Sequence, residues 1–438
     1  MNRLFVVIAL SCVVAAPAFA GNNGNKLDQK LQSAQQSGGN APQSVIVRVQ
    51  PGQLAAAQTR LAALGGKITT VNISINTINA TVPAGALNGL NGESTVLSVS
   101  TNGTVTGLGN GNSGSSGATG VDVLRATQGL TSTSPTGKNV GVAIIDSGIA
   151  PGSDFNGHIV AFYDYVKAGG ALAAAYDDYG HGTHVAGLIA SSGALGSQYQ
   201  GLAPGVNLVI FKVLNAQGQG QTSDVINALT FATANKTLLG IDVINLSLGH
   251  PIYESAATDP LVQAVEAAVR SGIVVVTAAG NFGEDANGNT GYAGITSPGN
   301  APSAITVGAF EDQGTVGRGD DIVAPYSSSG PTWYDGFAKP DILANGHRLV
   351  SNASRGQYLY TNYPQFAVDA NHLRLSGTSM ATAVATGAVA DLLQASRTAN
   401  GYPARPSLTP NAVKAILQYT AFSMTNPATG AAYDALTQ

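Results

Sequence analysis

The sequence predicts an α/β protein of three layers, with a mostly parallel central sheet covered by helices on both faces, preceded by a small α+β unit. Between residues 140 and 280, continuous apolar runs alternate with helical patterns, and such runs are typical of strands buried on both faces. Residues 107–120, GLGNGNSGSSGATG, carry almost only glycine and small polar side chains, so they cannot build a core and instead separate the two units.

The composition limits the classes of protein. The 438 residues are 44% hydrophobic and 10% charged, which is typical of a globular protein, and the length allows one large and one small domain. The net charge is -4 and no cluster of Lys or Arg occurs. Nucleic acids and anionic membranes are therefore excluded as expected partners.

The N-terminus has the pattern of a secretory signal peptide, residues 1–20. Arg3 precedes an apolar run, and Ala18 and Ala20 form a small-residue cleavage site. Pro17 leaves the run too short for a membrane anchor, and the run continues past Cys12, unlike in a lipoprotein. Cys12 is the only cysteine, so the mature protein has no disulfide. We expect a secreted protein, extracellular or periplasmic, that leaves the membrane after signal removal.

The small unit begins after a Gln/Asn/Ser-rich segment, residues 21–43, which we expect to be flexible. Its ordered part is predicted over about 44–106, where strands and helices alternate in the order expected of a ferredoxin-like unit. The segments are a strand at 45–50, a helix after Pro51, strands within 67–82, a helical stretch over 84–90 and strands within 95–106.

The large unit supplies the buried strands. They are predicted at 140–146, 207–213, 241–248 and 273–280, with helices after His181, Thr222 and Pro260. The carboxyl ends of parallel strands meet at one edge of a sheet, so ligands are expected there.

Two residues of the large unit indicate acid–base chemistry. Asp146 ends the first buried strand, and His181 begins a helix of small residues. Asp178 is a rival to Asp146, although a role as the helix-start carboxylate suits it better. His184 lies one helical turn beyond His181, but a zinc peptidase needs a glutamate between two such histidines and none is present.

A nucleophile and an oxyanion donor complete the set. Ser379 begins a second small-residue helix, and Asn281 follows a buried strand. The amide of Asn281 and the backbone N–H of Ser379 suit a developing oxyanion. An α/β-hydrolase needs its histidine after the serine, and a chymotrypsin-like enzyme needs an all-β pattern, so both are excluded.

Seven segments resemble successive signatures of the subtilisin-like, or subtilase, family of serine proteases. They are VAIIDSGIA, GHGTHVAG, GLAPGVNLVIFKVL, DVINLSLG, VVVTAAGN, SPGNAPSAITVGA and SGTSMAT. The resemblance implies a subtilisin-like fold and a secreted serine endopeptidase of peptidase family S8. It also implies that Asp146 supports His181, that His181 takes the proton of Ser379, and that Asn281 binds the oxyanion.

The resemblance also implies substrate contacts and a domain plan. Gly218, Gln219 and Gly220 would pair with an extended peptide, opposite Ser247, Leu248 and Gly249, and a slot for a large apolar P1 residue would lie between that wall and Ala278, Ala279 and Gly280. Glu284 and Asp285 are candidates to admit some basic P1 residues. Residues 21–108 would be an inhibitor I9-like propeptide, 109–120 a linker, and 121–438 the catalytic domain.

The expected partners are extended polypeptides and the protein's own propeptide, which would act as chaperone and inhibitor of a monomeric enzyme. The chemistry needs no cofactor. The loop SSGALGSQYQ differs from the calcium-binding loop of many relatives, so bound structural calcium is an expectation to which no residues can be assigned.

A non-catalytic member of the fold and a peptide ligase are the alternative functions. Leu108 aligns with the last residue of family propeptides, which predicts maturation after Leu108.

Overall fold

The computed structural model describes residues 24–38, 41–109, 124–285, 287–401 and 407–438. The first unit is a four-stranded antiparallel sheet in the order β2-β3-β1-β4, with helices packed on it. Leu61, Ile78 and Val99 lie in its own hydrophobic core. Its elements are α1 (Gln29–Gln36), β1 (Gln43–Val49), α2 (Leu54–Ala63), β2 (Lys67–Asn72), β3 (Thr77–Val82), α3 (Ala86–Asn91) and β4 (Val96–Thr101).

The prediction that residues 21–43 are flexible is wrong for the part the structure describes. Helix α1 begins after Asp28, whose carboxylate accepts a hydrogen bond from the backbone N–H of Leu31 at 2.7 Å. Leu27 and Leu31 are buried in the core of the first unit. The polar composition concealed this helix because two apolar side chains and one cap are enough to dock it.

The described residues between 102 and 285 contain β5, which links the two units, and the first elements of the second unit. The elements in this range are β5 (Thr104–Gly107), α4 (Leu124–Thr127), β6 (Gly141–Asp146), β7 (Ile159–Asp164), β8 (Ala171–Leu172), α5 (His181–Ala190), β9 (Asn207–Lys212), β10 (Gln219–Gln221), α6 (Thr222–Ala234), α7 (Lys236–Leu239), β11 (Val243–Leu246), β12 (Leu248–Gly249), α8 (Pro260–Arg270) and β13 (Val274–Ala278).

The second unit continues to the end of the chain. Its remaining elements are β14 (Ile305–Glu311), β15 (Ile322–Val323), β16 (Ile342–Asn345), β17 (Leu349–Asn352), α9 (Tyr358–Asn362), β18 (Ala367–Asp369), β19 (His372–Leu375), α10 (Thr378–Asn400) and α11 (Pro410–Thr420).

The central sheet confirms the predicted α/β class. Its strand order is β15-β14-β13-β11-β6-β9-β7-β8, with β16 also paired to β14. The pairs from β7 to β14 and the pair β14–β16 are parallel, and the antiparallel pairs involve only β8 and β15.

Helices cover both faces of this sheet, as predicted. Along β6, Val142 and Ile144 face a core shared with α5 and α10, whereas Ala143 and Ile145 face a core shared with α6 and α8. Side chains of successive strand residues point to opposite faces, so one apolar run fills both cores.

The first unit packs against the second through α6 and the segment before α8. Asn72 donates a hydrogen bond to the Thr230 hydroxyl at 3.0 Å, and Arg48 donates one to the carbonyl of Ala257 at 2.8 Å. The two units are also joined by β5, which lies between β10 and β12 in a three-stranded antiparallel sheet. The chain therefore places residues 104–107 in a cleft of its second unit.

Within the described ranges, no helix is both long and apolar enough to cross a membrane. The predicted signal peptide, residues 1–20, and residues 110–120 of the predicted linker lie outside the described residues.

Candidate active site

Asp146 and His181 form a buried pair at the carboxyl edge of the central sheet. Asp146 is the last residue of β6, and His181 is the first residue of α5. The Nδ1 atom of His181 lies 2.8 Å and 3.0 Å from the two carboxylate oxygens of Asp146. Both side chains are fully buried. The imidazole is therefore held with Nδ1 towards the carboxylate and Nε2 on its other side.

The pKa of His181 is raised above its ordinary value by this pairing. Burial alone opposes the charged form and is the largest single effect, but the negative charge and hydrogen bond of Asp146 outweigh it, with a smaller contribution from Asp177. The pair therefore stabilises a protonated imidazole, which is the species a general base becomes.

The helix-start carboxylate is Asp177, and the expectation that Asp178 has this role is wrong. Asp177 accepts hydrogen bonds from the backbone N–H groups of Gly180 and Thr183 at 2.8 and 2.9 Å. Asp178 instead binds the buried ammonium of Lys212 at 2.6 Å. The two neighbouring acids differ because the chain turn before α5 directs only Asp177 towards the helix.

His184 does not face His181 across a metal site. Its Nε2 atom lies 3.2 Å from the carbonyl oxygen of Leu349 and 3.1 Å from that of Leu373, so it donates to the backbone of β17 and β19. Burial, followed by the nearby His181, lowers its pKa to about 3. Its neutral form links α5 to a three-stranded antiparallel sheet in the order β17-β19-β18.

No group of three or more His, Cys, Asp or Glu side chains able to hold a metal occurs among the described residues. The loop after α5 folds onto Asp154, which accepts hydrogen bonds from the Ser191 hydroxyl and the Leu195 backbone at 3.0 Å each. Calcium therefore stays an expectation without assigned residues.

Ser379 lies at the start of α10, one residue into the helix. Its hydroxyl donates to the carbonyl oxygen of Ser247 at 2.9 Å. The Nε2 atom of His181 has no hydrogen-bond partner among the described residues. The hydroxyl of Ser379 is thus hydrogen-bonded to a backbone carbonyl and not to the imidazole of His181.

Two N–H groups converge on the carbonyl oxygen of Leu108. The Nδ2 atom of Asn281 lies 2.6 Å from this oxygen, and the backbone nitrogen of Ser379 lies 3.3 Å from it. Gly377 leaves room for the carbonyl, because a Cβ at that position would lie 2.4 Å from the same oxygen. The geometry suits an oxyanion that forms at this position.

Sequence reasoning missed the residue that orients Asn281. Thr378 donates to the Oδ1 atom of Asn281 from both its backbone nitrogen and its hydroxyl, each at 2.9 Å. The amide therefore has one possible orientation, with its N–H groups towards Leu108. The only signal for Thr378 was its place beside Ser379.

The predicted peptide-binding segments lie on either side of β5. Gln219 and Gly220 pair with Thr106 and Val105, and Leu248 and Gly249 pair with Gly107 and Thr106. The N–H of Gly107 donates to the carbonyl of Gly218 at 3.3 Å, and that of Leu108 to the carbonyl of Ser247 at 3.1 Å. An extended strand thus occupies the cleft between both predicted walls.

The remaining predicted wall, Ala278, Ala279 and Gly280, begins at the last residue of β13 and is buried. Gly280 donates to the Thr378 hydroxyl at 3.2 Å, which fixes the wall to the start of α10. Asp285 shapes its own exposed turn by accepting from Asn289, and these hydrogen bonds lower its pKa. A role of Glu284 or Asp285 towards basic P1 residues stays a prediction.

A carbonyl held by two N–H donors beside a helix-start serine is the arrangement that serine hydrolases use. Within that class, the chain belongs to the subtilase family, whose model matches residues 137–436. The first unit lies before this match.

Individual relatives agree. The serine protease AprX of Bacillus subtilis (strain 168) is 43% identical over 289 residues, which cover 65% of this chain and 61% of AprX. Subtilisin DY of Bacillus licheniformis is 37% identical over 267 residues, which cover 59% of this chain and 77% of that protein. This chain therefore matches about three fifths of the length of AprX.

Solved structures confirm the predicted subtilisin-like fold. Fervidolysin from Fervidobacterium pennivorans superposes with a TM-score of 0.65 at 21% identity, covering 88% of this chain and 58% of that chain. Sphericase superposes with a TM-score of 0.54 at 27% identity, covering 68% of this chain and 88% of that chain.

Proposed function

We propose that this protein is a secreted serine endopeptidase, made as a precursor that cuts its own chain between Leu108 and Gly109. The observation that carries the proposal is the carbonyl of Leu108, which accepts from Asn281 at 2.6 Å and from the backbone of Ser379 at 3.3 Å. A substrate carbonyl must occupy this position before attack.

Asp146 and His181 supply the proton transfer in this proposal. Asp146 accepts from Nδ1 at 2.8 Å, so the neutral imidazole presents an unprotonated Nε2 atom. For attack, the Ser379 hydroxyl turns from the Ser247 carbonyl towards Nε2. The carboxylate then stabilises the imidazolium that results.

The reaction forms and breaks one bond in each half. The Oγ atom of Ser379 bonds to the Leu108 carbonyl carbon while its proton passes to Nε2 of His181, and the oxyanion is held by Asn281 and the Ser379 backbone. The carbon–nitrogen bond to Gly109 then breaks, and the leaving nitrogen takes the proton from Nε2. Water attacks the acyl-enzyme with His181 again as base. The bond between Oγ of Ser379 and the Leu108 carbonyl carbon then breaks, Oγ takes the proton from Nε2, and the carboxylate of Leu108 is released.

The substrate class follows from β5. Because this strand pairs on one side with Gln219 and Gly220 and on the other with Leu248 and Gly249, the cleft binds backbone in an extended conformation. We infer that extended polypeptides bind the same way in trans. Residues 21–108 would act as propeptide, inhibiting the site as substrate and then as product.

Secretion is supported by the basic, apolar and small-residue pattern of residues 1–20. Calcium, if bound, would serve stability, because the proposed steps use only protein groups.

Incubation of the purified precursor tests the proposal. We expect self-cleavage to a single new N-terminus at Gly109, followed by cleavage of a denatured protein, and no cleavage with Ser379→Ala. Ser423→Ala is the control, because Ser423 is an exposed serine after the last helix. Normal maturation of Ser379→Ala without other proteases would contradict the assignment of Ser379, and a ragged set of N-termini would contradict the assignment of Leu108.

A further inference from the structure

Two glycines flank Leu108, and both lie against the imidazole of His181. A Cβ placed on Gly107 would lie 3.2 Å from Nδ1 of His181 and 3.3 Å from its Cγ and Cε1 atoms. A Cβ placed on Gly109 would lie 2.8 Å from Cδ2 and 2.9 Å from Nε2. The imidazole of His181 thus limits the space for a side chain at both residues that flank Leu108.

A side chain at residue 107 or 109 is disfavoured by lack of space and not by the backbone conformation. Neither Gly107 nor Gly109 has a φ in the left-handed region, so other residues could adopt the same backbone. Gly103, just before β5, differs from both, because a Cβ there would be 3.7 Å from the nearest atom, the hydroxyl of Thr222. Crowding is therefore specific to the residues beside Leu108.

The imidazole ring of His181, which causes this crowding, is held in place. His181 is fully buried, and its ring is fixed by the two contacts with Asp146 at 2.8 and 3.0 Å. Met380 also lies close to the added Cβ on Gly109, at 3.2 Å, but its terminal methyl group can rotate. A side chain at residue 109 must therefore displace the substrate backbone and not the imidazole.

Displacement of the backbone acts directly on the proposed reaction. The Leu108 carbonyl precedes Gly109 by one bond and is held at 2.6 Å by Asn281. Nε2 of His181 must also deliver a proton to the nitrogen of Gly109, and an added Cβ would occupy space 2.9 Å from Nε2. At Gly107, a shift of a few tenths of an ångström relieves the closest contact, so the effect there is smaller.

We propose that the site selects glycine as the residue immediately after the cut bond, and less strictly before the P1 residue, so that its preferred substrates are glycine-rich polypeptides containing a Gly-apolar-Gly sequence. The proposal rests on the endopeptidase function above. His181 determines this selectivity in addition to its role as general base, through the position of its ring.

Competition between peptides tests this selectivity. The parent peptide has the sequence of residues 104–111, TVTGLGNG, and three variants carry alanine in place of Gly107, Gly109 or Gly111. The Gly111→Ala peptide is the matched control, because it changes chain flexibility equally at a position two residues further from the cut. All four are digested together by the self-processed enzyme, and kcat/KM ratios are measured by mass spectrometry.

We expect the Gly109→Ala peptide to be cut at least about tenfold more slowly than the parent, since overpacking at a fixed wall is costly. The Gly107→Ala peptide should lose about two- to threefold, and the control should match the parent. Equal rates for all four peptides would overturn the glycine selectivity while leaving the endopeptidase function intact. If neither the parent peptide nor denatured casein is cut, the endopeptidase function fails and the selectivity fails with it.

Discussion

The amide nitrogen of Asn281 lies 2.6 Å from the carbonyl oxygen of Leu108, while the amide oxygen of the same side chain accepts from Thr378. Thr378 therefore fixes one end of the amide, and the other end is directed at the carbonyl of Leu108. This relationship joins a residue after β13 to the end of the segment that fills the cleft.

Replacing Asn281 by alanine should lower kcat by about 10²–10³ with little change in KM, the size of loss typical when one oxyanion donor is removed. The reason is that the donor strengthens its contact only when charge develops on the oxygen. Steady-state kinetics on a peptide substrate provide the measurement. Asn400→Ala, at the exposed end of α10, is the control. A variant that raises KM and keeps kcat would show that Asn281 serves binding instead.

Gly109→Ala in the full precursor should slow self-cleavage at least about tenfold, because the new Cβ would meet His181 at 2.8 Å. Gly103→Ala should mature at the wild-type rate, since its Cβ would meet only ordinary contacts. Intact-mass time courses of both variants provide the comparison. Equal maturation rates would count against crowding by the imidazole.

Asp177→Ala should reduce the free energy of unfolding by about 1–3 kcal/mol, because buried donors lose their acceptor. Asp177 accepts from Gly180, Thr183 and the Ser147 hydroxyl. Denaturant unfolding of the Ser379→Ala precursor with and without this change is the measurement. Asp285→Ala, in an exposed turn, should cost much less, and equal costs would contradict the structural role of Asp177.

Glu254 makes the stability of the precursor depend on pH. This carboxyl is buried where the first unit meets the second, and burial, followed by the neighbouring Asp259, raises its pKa to about 8 from an ordinary 4.5, with Asp28 adding slightly. Between these pH values the folded chain holds a proton that the unfolded chain has released. The free energy of unfolding therefore falls as pH rises from about 4.5 to about 8, and the contribution is fully present below that range.

Glu254→Gln in the Ser379→Ala precursor should reduce this loss, because the amide does not titrate. Thermal unfolding at pH 5 and pH 8 measures the loss of stability between these two pH values. Glu284→Gln, on the exposed loop after Asn281, is the control. Identical pH dependence of the Glu254→Gln protein and its parent would rule out this carboxyl as the cause.

Much of the architecture could be predicted from the sequence because the strands of the central sheet are buried on both faces. Such strands appear as unbroken apolar runs, and the runs that end at Asp146 and just before Asn281 placed both residues at one edge of the sheet. The motifs around His181 and Ser379 then added two helix starts. At that edge Asp146 contacts His181, and Asn281 and Ser379 both donate to the carbonyl of Leu108.

The details that escaped depend on the direction of single side chains. Asp177 and Asp178 are adjacent and chemically identical, and only the turn before α5 decides which one caps the helix. Helix α1 escaped because its burial rests on contacts with β4, distant in sequence. The crowding of Gly109 by His181 could not be predicted from the sequence either, since it depends on distances across the cleft.

The position of β5 makes occupancy of the cleft depend on protein concentration only once the strand is separate from the rest of the chain. While Leu108 is bonded to Gly109, the strand and its cleft belong to one molecule, and the effective concentration of a tethered strand is about millimolar regardless of dilution. After the proposed cut, the same strand is a separate molecule, and the fraction of enzyme that it occupies depends on its concentration. Release of the cleaved strand is a first-order step, whereas its rebinding is second-order in protein concentration. A concentrated preparation therefore stays inactive, and the same preparation becomes active when it is diluted.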